Sequence, residues 1–348
     1  MNRPDDLNAA APLEGGITRP DNGREHIRRP IDETFPRNYY DVPMLKPPVW
    51  TWEIASYFFL GGLSGGSFAL ARMADRFGGK TMADVRRIGT LVAFSAFLPC
   101  PALLIADLGD RKRFHYMLRV FKPKSPMNFG AWVLSLFGGV LTIAVLKEWL
   151  LGRARGKKGR IFSVLSFGTD LLSDFAGVPL GLLLAGYTGV LLSTTATPIW
   201  ARNRWLGPLF SAGAISSGAA AIGLAEAAMS GKRRRSGRPL RRVEMASRVA
   251  EAAALGGFLL EAGRLAKPLT HGKYAAHLWV GAVGLGLALP TLLSALPGRF
   301  EKSHRWLKIG SAAASLAGVF ALRWAITQAG TPSANDPQAA RDVSRPAH

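Results

Sequence analysis

Residues 88–109, IGTLVAFSAFLPCPALLIADLG, hold a single charge, Asp107, in 22 positions. An α-helix of that length rises about 33 Å, enough to cross the hydrocarbon core of a bilayer. Residues 276–297, AHLWVGAVGLGLALPTLLSALP, contain no Asp, Glu, Lys or Arg at all. Outward from these two, apolar segments of similar length recur at 49–72, 129–151, 175–196, 206–229, 244–265 and 306–327. Within lipid every backbone polar group needs an internal partner, and segments this long satisfy that need as helices. The sequence therefore predicts an all-α integral membrane protein of about eight transmembrane helices.

Composition agrees. Charged residues make up 19% of the 348-residue chain and the mean hydropathy is +0.13, against the roughly 25% charge of soluble domains. The charge is segregated: Lys and Arg crowd into 152–161 and 230–243. A net charge of +21 raises the question of nucleic acid. The basic runs, however, sit between apolar spans, where they flank lipid, so no nucleic-acid partner is expected. Loops after the odd-numbered spans carry 19 Lys and Arg, and loops after spans two, four and six carry 10. The richer side is expected to be cytoplasmic, which puts both termini on the extracytoplasmic face of the inner (plasma) membrane. Residues 1–48 are polar and lack an apolar stretch behind a basic start, so an extramembrane arm is expected and no cleavable signal peptide.

Two segments are ambiguous. The sixth span carries Glu244, Arg248, Glu251, Glu261 and Arg264 and reads as a membrane helix whose charges face the protein interior. Residues 161–174 are either an interfacial helix or an extension of span four.

Of six histidines only His277 falls within a span, so a haem held between two helix histidines is not expected. A single cysteine, Cys100, rules out a cluster or thiolate-metal site built from this chain alone. Gly61, Gly62, Gly65 and Gly66 in span one allow close helix approach. Glu226, Glu251, Glu261, Arg264 and Arg323 are intramembrane charges that should pair or line a wet path, with Glu261 and Arg323 as one expected pair. The loop 110–128 holds six Lys and Arg on the side that should be poor in them. That excess fits either an interfacial helix with snorkelling side chains or a docking surface for a partner.

Four motifs give the chain a family likeness. They are Trp50-Thr51-Trp52-Glu53 running through Tyr57 to Gly66; Asp107-Leu108-Gly109 with Arg113-Phe114; Ser125-Pro126-Met127 with Gly130-Ala131-Trp132; and Tyr187-Thr188-Gly189 with Pro198-Ile199-Trp200. In this order the chain resembles the polysulfide reductase membrane subunit family, the NrfD or PsrC-like proteins. The resemblance implies two four-helix bundles, here 49–200 and 201–330, with an N-terminal arm (1–48) and a polar tail (331–348). It implies a quinone or menaquinone pocket near the outer face and no haem or metal in this chain. Implied partners are a four-cluster ferredoxin-like iron–sulfur subunit and, behind it, a molybdopterin catalytic subunit. Tyr187 matches the family tyrosine that contacts quinone; Tyr57 stands where some relatives have histidine, and Ile54 where some have asparagine. Carried onto this chain, Tyr187, Asp107 and Glu53 are the candidate catalytic residues, with Trp52, Tyr57 and Tyr187 binding quinone. Arg113, Arg119, Ser125 and Pro126 form the expected docking surface. A secondary transporter working through Glu226, Glu251 and Arg323, and a passive membrane anchor, are the alternative readings.

Overall fold

The computed structural model describes residues 43, 45–153, 160–229, 237–295 and 305–344. The expected arm 1–48 lies outside the described residues except for its last few. The described residues form helices joined by short connections, with no strand among them. Among the described residues, seven helices are long and apolar enough to cross a membrane.

Helix α1 (Trp52–Phe77) is the most enclosed of them. Its glycines explain why. A Cβ on Gly65 would lie well inside 3.0 Å of the carbonyl oxygen of Gly181, and one on Gly66 equally close to that of Ala214. Only hydrogen atoms fit there, so α1 seats its backbone directly on two neighbouring helices, the small-residue packing that holds helices together in lipid.

The second span is broken into α2 (Ala83–Phe97) and α3 (Pro99–Asp107) at Leu98, where Pro99 removes an intrahelical donor. After a 3₁₀ segment, Arg111–Leu118, α4 runs from Pro126 to Arg153. Helix α5 (Arg160–Leu172) passes through a π-turn, Ser173–Gly177, into α6 (Val178–Ser193). Segment 161–174 is thus an extension of span four. The wider turn precedes Pro179 by two residues and relieves the clash between a proline ring and the carbonyl four residues back. The same device recurs before Pro290: a π-helix, His277–Ala288, leads into α10 (Leu289–Ala295).

Helix α7 (Leu206–Met229) and α8 (Gly237–Ala262) are adjacent and antiparallel. Helix α8 is 26 residues long yet too charged to count among the apolar seven. It buries Arg248 and Glu251 against its neighbours, as the sequence predicts, whereas Glu261 and Arg264, expected to face the interior too, are exposed at and just beyond its end. A single turn, α9 (Lys267–Thr270), precedes the π-helix. Helix α11 (Arg305–Ala334) extends beyond the expected span, and what reads as a polar tail continues as α12 (Pro337–Ser344). The carboxylate of Asp336 accepts from the backbone N–H groups of Gln338 and Ala339 at its start.

The helix order fixes two ends. Trp52, Asp107, Pro126, Ser193, Leu206, Ala262 and Ala334 lie at one, called the Trp52 end; Phe77, Ala83, Met229 and Gly237 lie at the other, the Phe77 end.

Candidate functional site

At the Trp52 end, the starts of α4 and α7 and the outer half of α6 border an open cleft of about 650 Å³. Phe129, Leu183 and Val190 make its walls apolar, while Tyr187, Ser211 and Thr194 supply hydroxyls. Tyr187 is buried in α6, and its hydroxyl donates to the carbonyl oxygen of Pro126 in the first turn of α4. Its ring packs at 5.6 Å from that of Phe129. Gly130 permits this seating, since a Cβ there would lie 2.5 Å from the Tyr187 ring. The arrangement is an apolar slot holding one buried phenol and two aliphatic hydroxyls, enough to bind a flat apolar molecule by one or two polar atoms.

Of the sequence-predicted residues, Tyr187 and Pro126 line this cleft; Trp52, Glu53, Tyr57 and Asp107 do not. Tyr57 is buried in α1, within electrostatic range of Tyr187 and of Cys100. Trp52 is exposed at the helix start, and the Glu53 carboxylate accepts from the Thr51 hydroxyl. Asp107 ends α3, half-buried. Ser125 donates its backbone N–H to the Lys122 carbonyl at the cleft's edge.

The basic loop borders the cleft. Arg113 is exposed and pairs with Asp110 at 3.1 Å, and Arg119 lies over the Tyr116 ring at 5.4 Å. Arg111, Lys112, Lys122 and Lys124 are exposed among exposed Phe114, Tyr116 and Phe121. Asn128, which the sequence reading passes over, pins this loop to α4. Its Nδ2 donates to Met117 (2.5 Å) and Val120 (3.1 Å), and its Oδ1 accepts from Lys122 N–H (2.7 Å).

Two charge clusters lie elsewhere. Near the Phe77 end, Arg72 bonds Asp174 (2.8 Å), Asp170 (3.0 Å) and Asp75 (3.2 Å), Lys147 pairs with Asp170, and Arg86 reaches Asp75 and Glu148. This network is invisible in a linear reading, because Asp170 and Asp174 stand 98 and 102 residues from Arg72. At mid-span, Arg323 and Glu251 are fully buried. The expected Glu261–Arg323 pair does not form. Glu261 lies at the end of α8, where it accepts from the Arg204 backbone and side chain, whereas Arg323 sits three turns deeper.

The family model for the polysulphide reductase NrfD matches residues 41–333. The chain belongs to this family. It is 30% identical over 304 residues to the polysulfide reductase C subunit of Wolinella succinogenes, an alignment spanning 81% of this protein and 94% of that one. Protein NrfD of Escherichia coli is 29% identical over 303 residues, 81% of this protein and 95% of its own length. The NrfD homolog of Haemophilus influenzae is 26% identical over 313 residues, 84% and 97% respectively. Membership makes the protein a multi-pass membrane subunit of the kind found in redox complexes. Among the described residues, no group of three or more His, Cys, Asp or Glu side chains is placed to hold a metal ion.

Proposed function

We propose that this NrfD-family protein is a quinone-reactive membrane anchor, exchanging electrons between quinone or quinol in the bilayer and an iron–sulfur subunit docked at the Trp52 end. The observation that carries the reading is the Tyr187 hydroxyl in an apolar cleft directly beside a basic, aromatic loop. With the Trp52 end extracytoplasmic, as the Lys and Arg distribution expects, the cleft opens where an extracytoplasmic partner would sit. The Wolinella relative carries the name of a polysulfide reductase subunit, and an analogous assembly with a ferredoxin-like subunit and a further catalytic subunit is the partner set we assign here.

In this reading the quinone ring enters between Phe129 and Leu183, and the Tyr187 hydroxyl turns from the Pro126 carbonyl to donate to a quinone oxygen. Ser211, whose hydroxyl lies against Gly186, and Thr194 are the other hydroxyls of the lining. A phenol so placed stabilises charge growing on the quinone oxygen by donating its hydrogen bond there. Electrons leave toward the loop at 111–124, whose cations and aromatic rings supply a surface for an acidic partner.

The test is quinol-driven reduction of the partner's clusters in the purified complex. Tyr187→Phe removes the hydroxyl and keeps the ring. A hydrogen bond made at the reacting oxygen is worth about 1–2 kcal/mol, so turnover should fall roughly 5- to 30-fold with the complex still assembled. Unchanged turnover would remove the cleft from the reaction.

A further inference from the structure

Arg323 and Glu251 sit side by side without touching. The Glu251 Oε2 accepts from the Ser216 hydroxyl at 2.8 Å. Arg323 donates from Nη2 to the Phe210 carbonyl at 2.9 Å and from Nη1 to the Val319 carbonyl at 3.4 Å, and its guanidinium lies 4.9 Å from the centre of the Phe210 ring. No ion pair joins the two side chains. Instead Glu251 Oε1 and Arg323 Nη1 approach one point, 2.6 and 3.0 Å from where a Cβ on Gly213 would stand. A buried carboxylate and guanidinium serving only to neutralise each other would close that gap, since their attraction is strongest away from water.

Polar atoms without a protein partner surround the same stretch of α7. Arg323 Nε, Arg248 Nε, Ser315 Oγ and Ser67 Oγ are all buried and unpartnered. They come from three helices, α11, α8 and α1, each of which packs against α7. Three of the four lie on the Phe77 side of Glu251: Arg248 is three residues nearer that end of α8, Ser315 is two turns nearer it than Arg323, and Ser67 is more than a turn beyond Gly62, which faces Arg323. Buried polar groups this numerous are satisfied by water. Glu244, partly exposed and bonded to Arg248, completes a polar stripe along α8 from the Phe77 end.

We propose that α1, α7, α8 and α11 enclose a hydrated proton-binding site, in which Glu251 takes up a proton from water entering at the Phe77 end and releases it by the same path. The step is simple: the carboxylate takes a proton from a hydronium ion in that water, giving the acid and a water molecule, with Ser216 as hydrogen-bond partner in both forms. The charged groups facing Glu251 are Arg323 from α11 and Arg248 from its own helix, with Glu244 beyond; α7 offers only Ser216, and α1 offers no charge. The proposal stands apart from the quinone reading, because neither readout below requires quinone.

In the full-length protein, with Cys100 replaced by alanine, Ser315→Cys and Ser67→Cys are tested in proteoliposomes against a small charged methanethiosulfonate applied to one face. The comparison is Ser64→Cys, whose native hydroxyl is already bonded to the Ala93 carbonyl. Labelling of the first two from the Phe77 end alone, with Ser64→Cys unlabelled, is the expected result. Infrared difference spectra across a pH step should then show a carboxylic C=O band that shifts in D₂O and is lost in Glu251→Gln. If Glu251→Gln fails to assemble, Glu251→Asp should move the band instead of removing it. Unlabelled cysteines, labelling from the Trp52 end, or a band that persists in Glu251→Gln would each overturn the proposal.

Discussion

One amide ties three points of the basic loop to the start of α4. Asn128 uses both donors and its acceptor on Met117, Val120 and Lys122. Each net hydrogen bond contributes about 1 kcal/mol, so their loss makes local opening of the loop roughly 100-fold more frequent. Asn128→Ala should therefore speed tryptic cleavage after Arg119 by about 10- to 100-fold while leaving helical circular dichroism unchanged. The sequence marks this loop by its charge but gives no sign of Asn128. An asparagine two residues into a helix reads as ordinary until the backbone is seen to fold back 8 and 11 residues onto it. Tyr187 is legible for the opposite reason: it carries a family motif, and a tyrosine within an apolar span needs a partner for its hydroxyl. The partner itself, the Pro126 carbonyl, emerges only from the fold.

Helices are the most readable elements, because hydrocarbon thickness imposes their length. Helix α8 is legible only through its neighbours, since its buried Arg248 and Glu251 lower its hydropathy below that of the other spans. The π-turns before Pro179 and Pro290 are readable only as breaks; continuing as a widened helix depends on neighbouring helices that compensate the missing bonds. Glycine function likewise depends on which face meets which helix. Gly65 and Gly139 look alike in sequence, yet a Cβ on Gly65 strikes the Gly181 carbonyl, while one on Gly139 meets nothing within 4 Å. Gly65→Ala should cost about 1–3 kcal/mol or more and lower the thermal midpoint in detergent. Gly139→Ala should hold or raise that midpoint, because alanine is the better helix former by about 1 kcal/mol.

Across the whole molecule, charge is sorted by depth and by role. Among the described residues, exposed cations lie at both ends, those of loop 111–124 beside the cleft at the Trp52 end; one buried arginine and one buried glutamate sit at mid-span, and a dense ion-pair network ties helices together near the Phe77 end. That network spans α1, α2, α4 and the α5–α6 helix, so it acts as a clamp on the first half of the molecule. Arg72 is its centre, and the three aspartates it serves are not equally dependent on it. Asp170 also has Lys147 and Asp75 also has Arg86, whereas Arg72 is the cation paired with Asp174. Arg72→Met should then strand mainly Asp174. Breaking a fully buried pair costs about 3–5 kcal/mol, and because Asp174 keeps some solvent contact the loss should be nearer 2–3 kcal/mol. Adding Asp174→Asn removes the stranded charge, so the double variant should regain part of that loss in thermal unfolding of the purified protein. If the double variant is no more stable than Arg72→Met alone, Asp174 is not the group that needs the arginine, and the clamp must act through Asp170 and Asp75 instead.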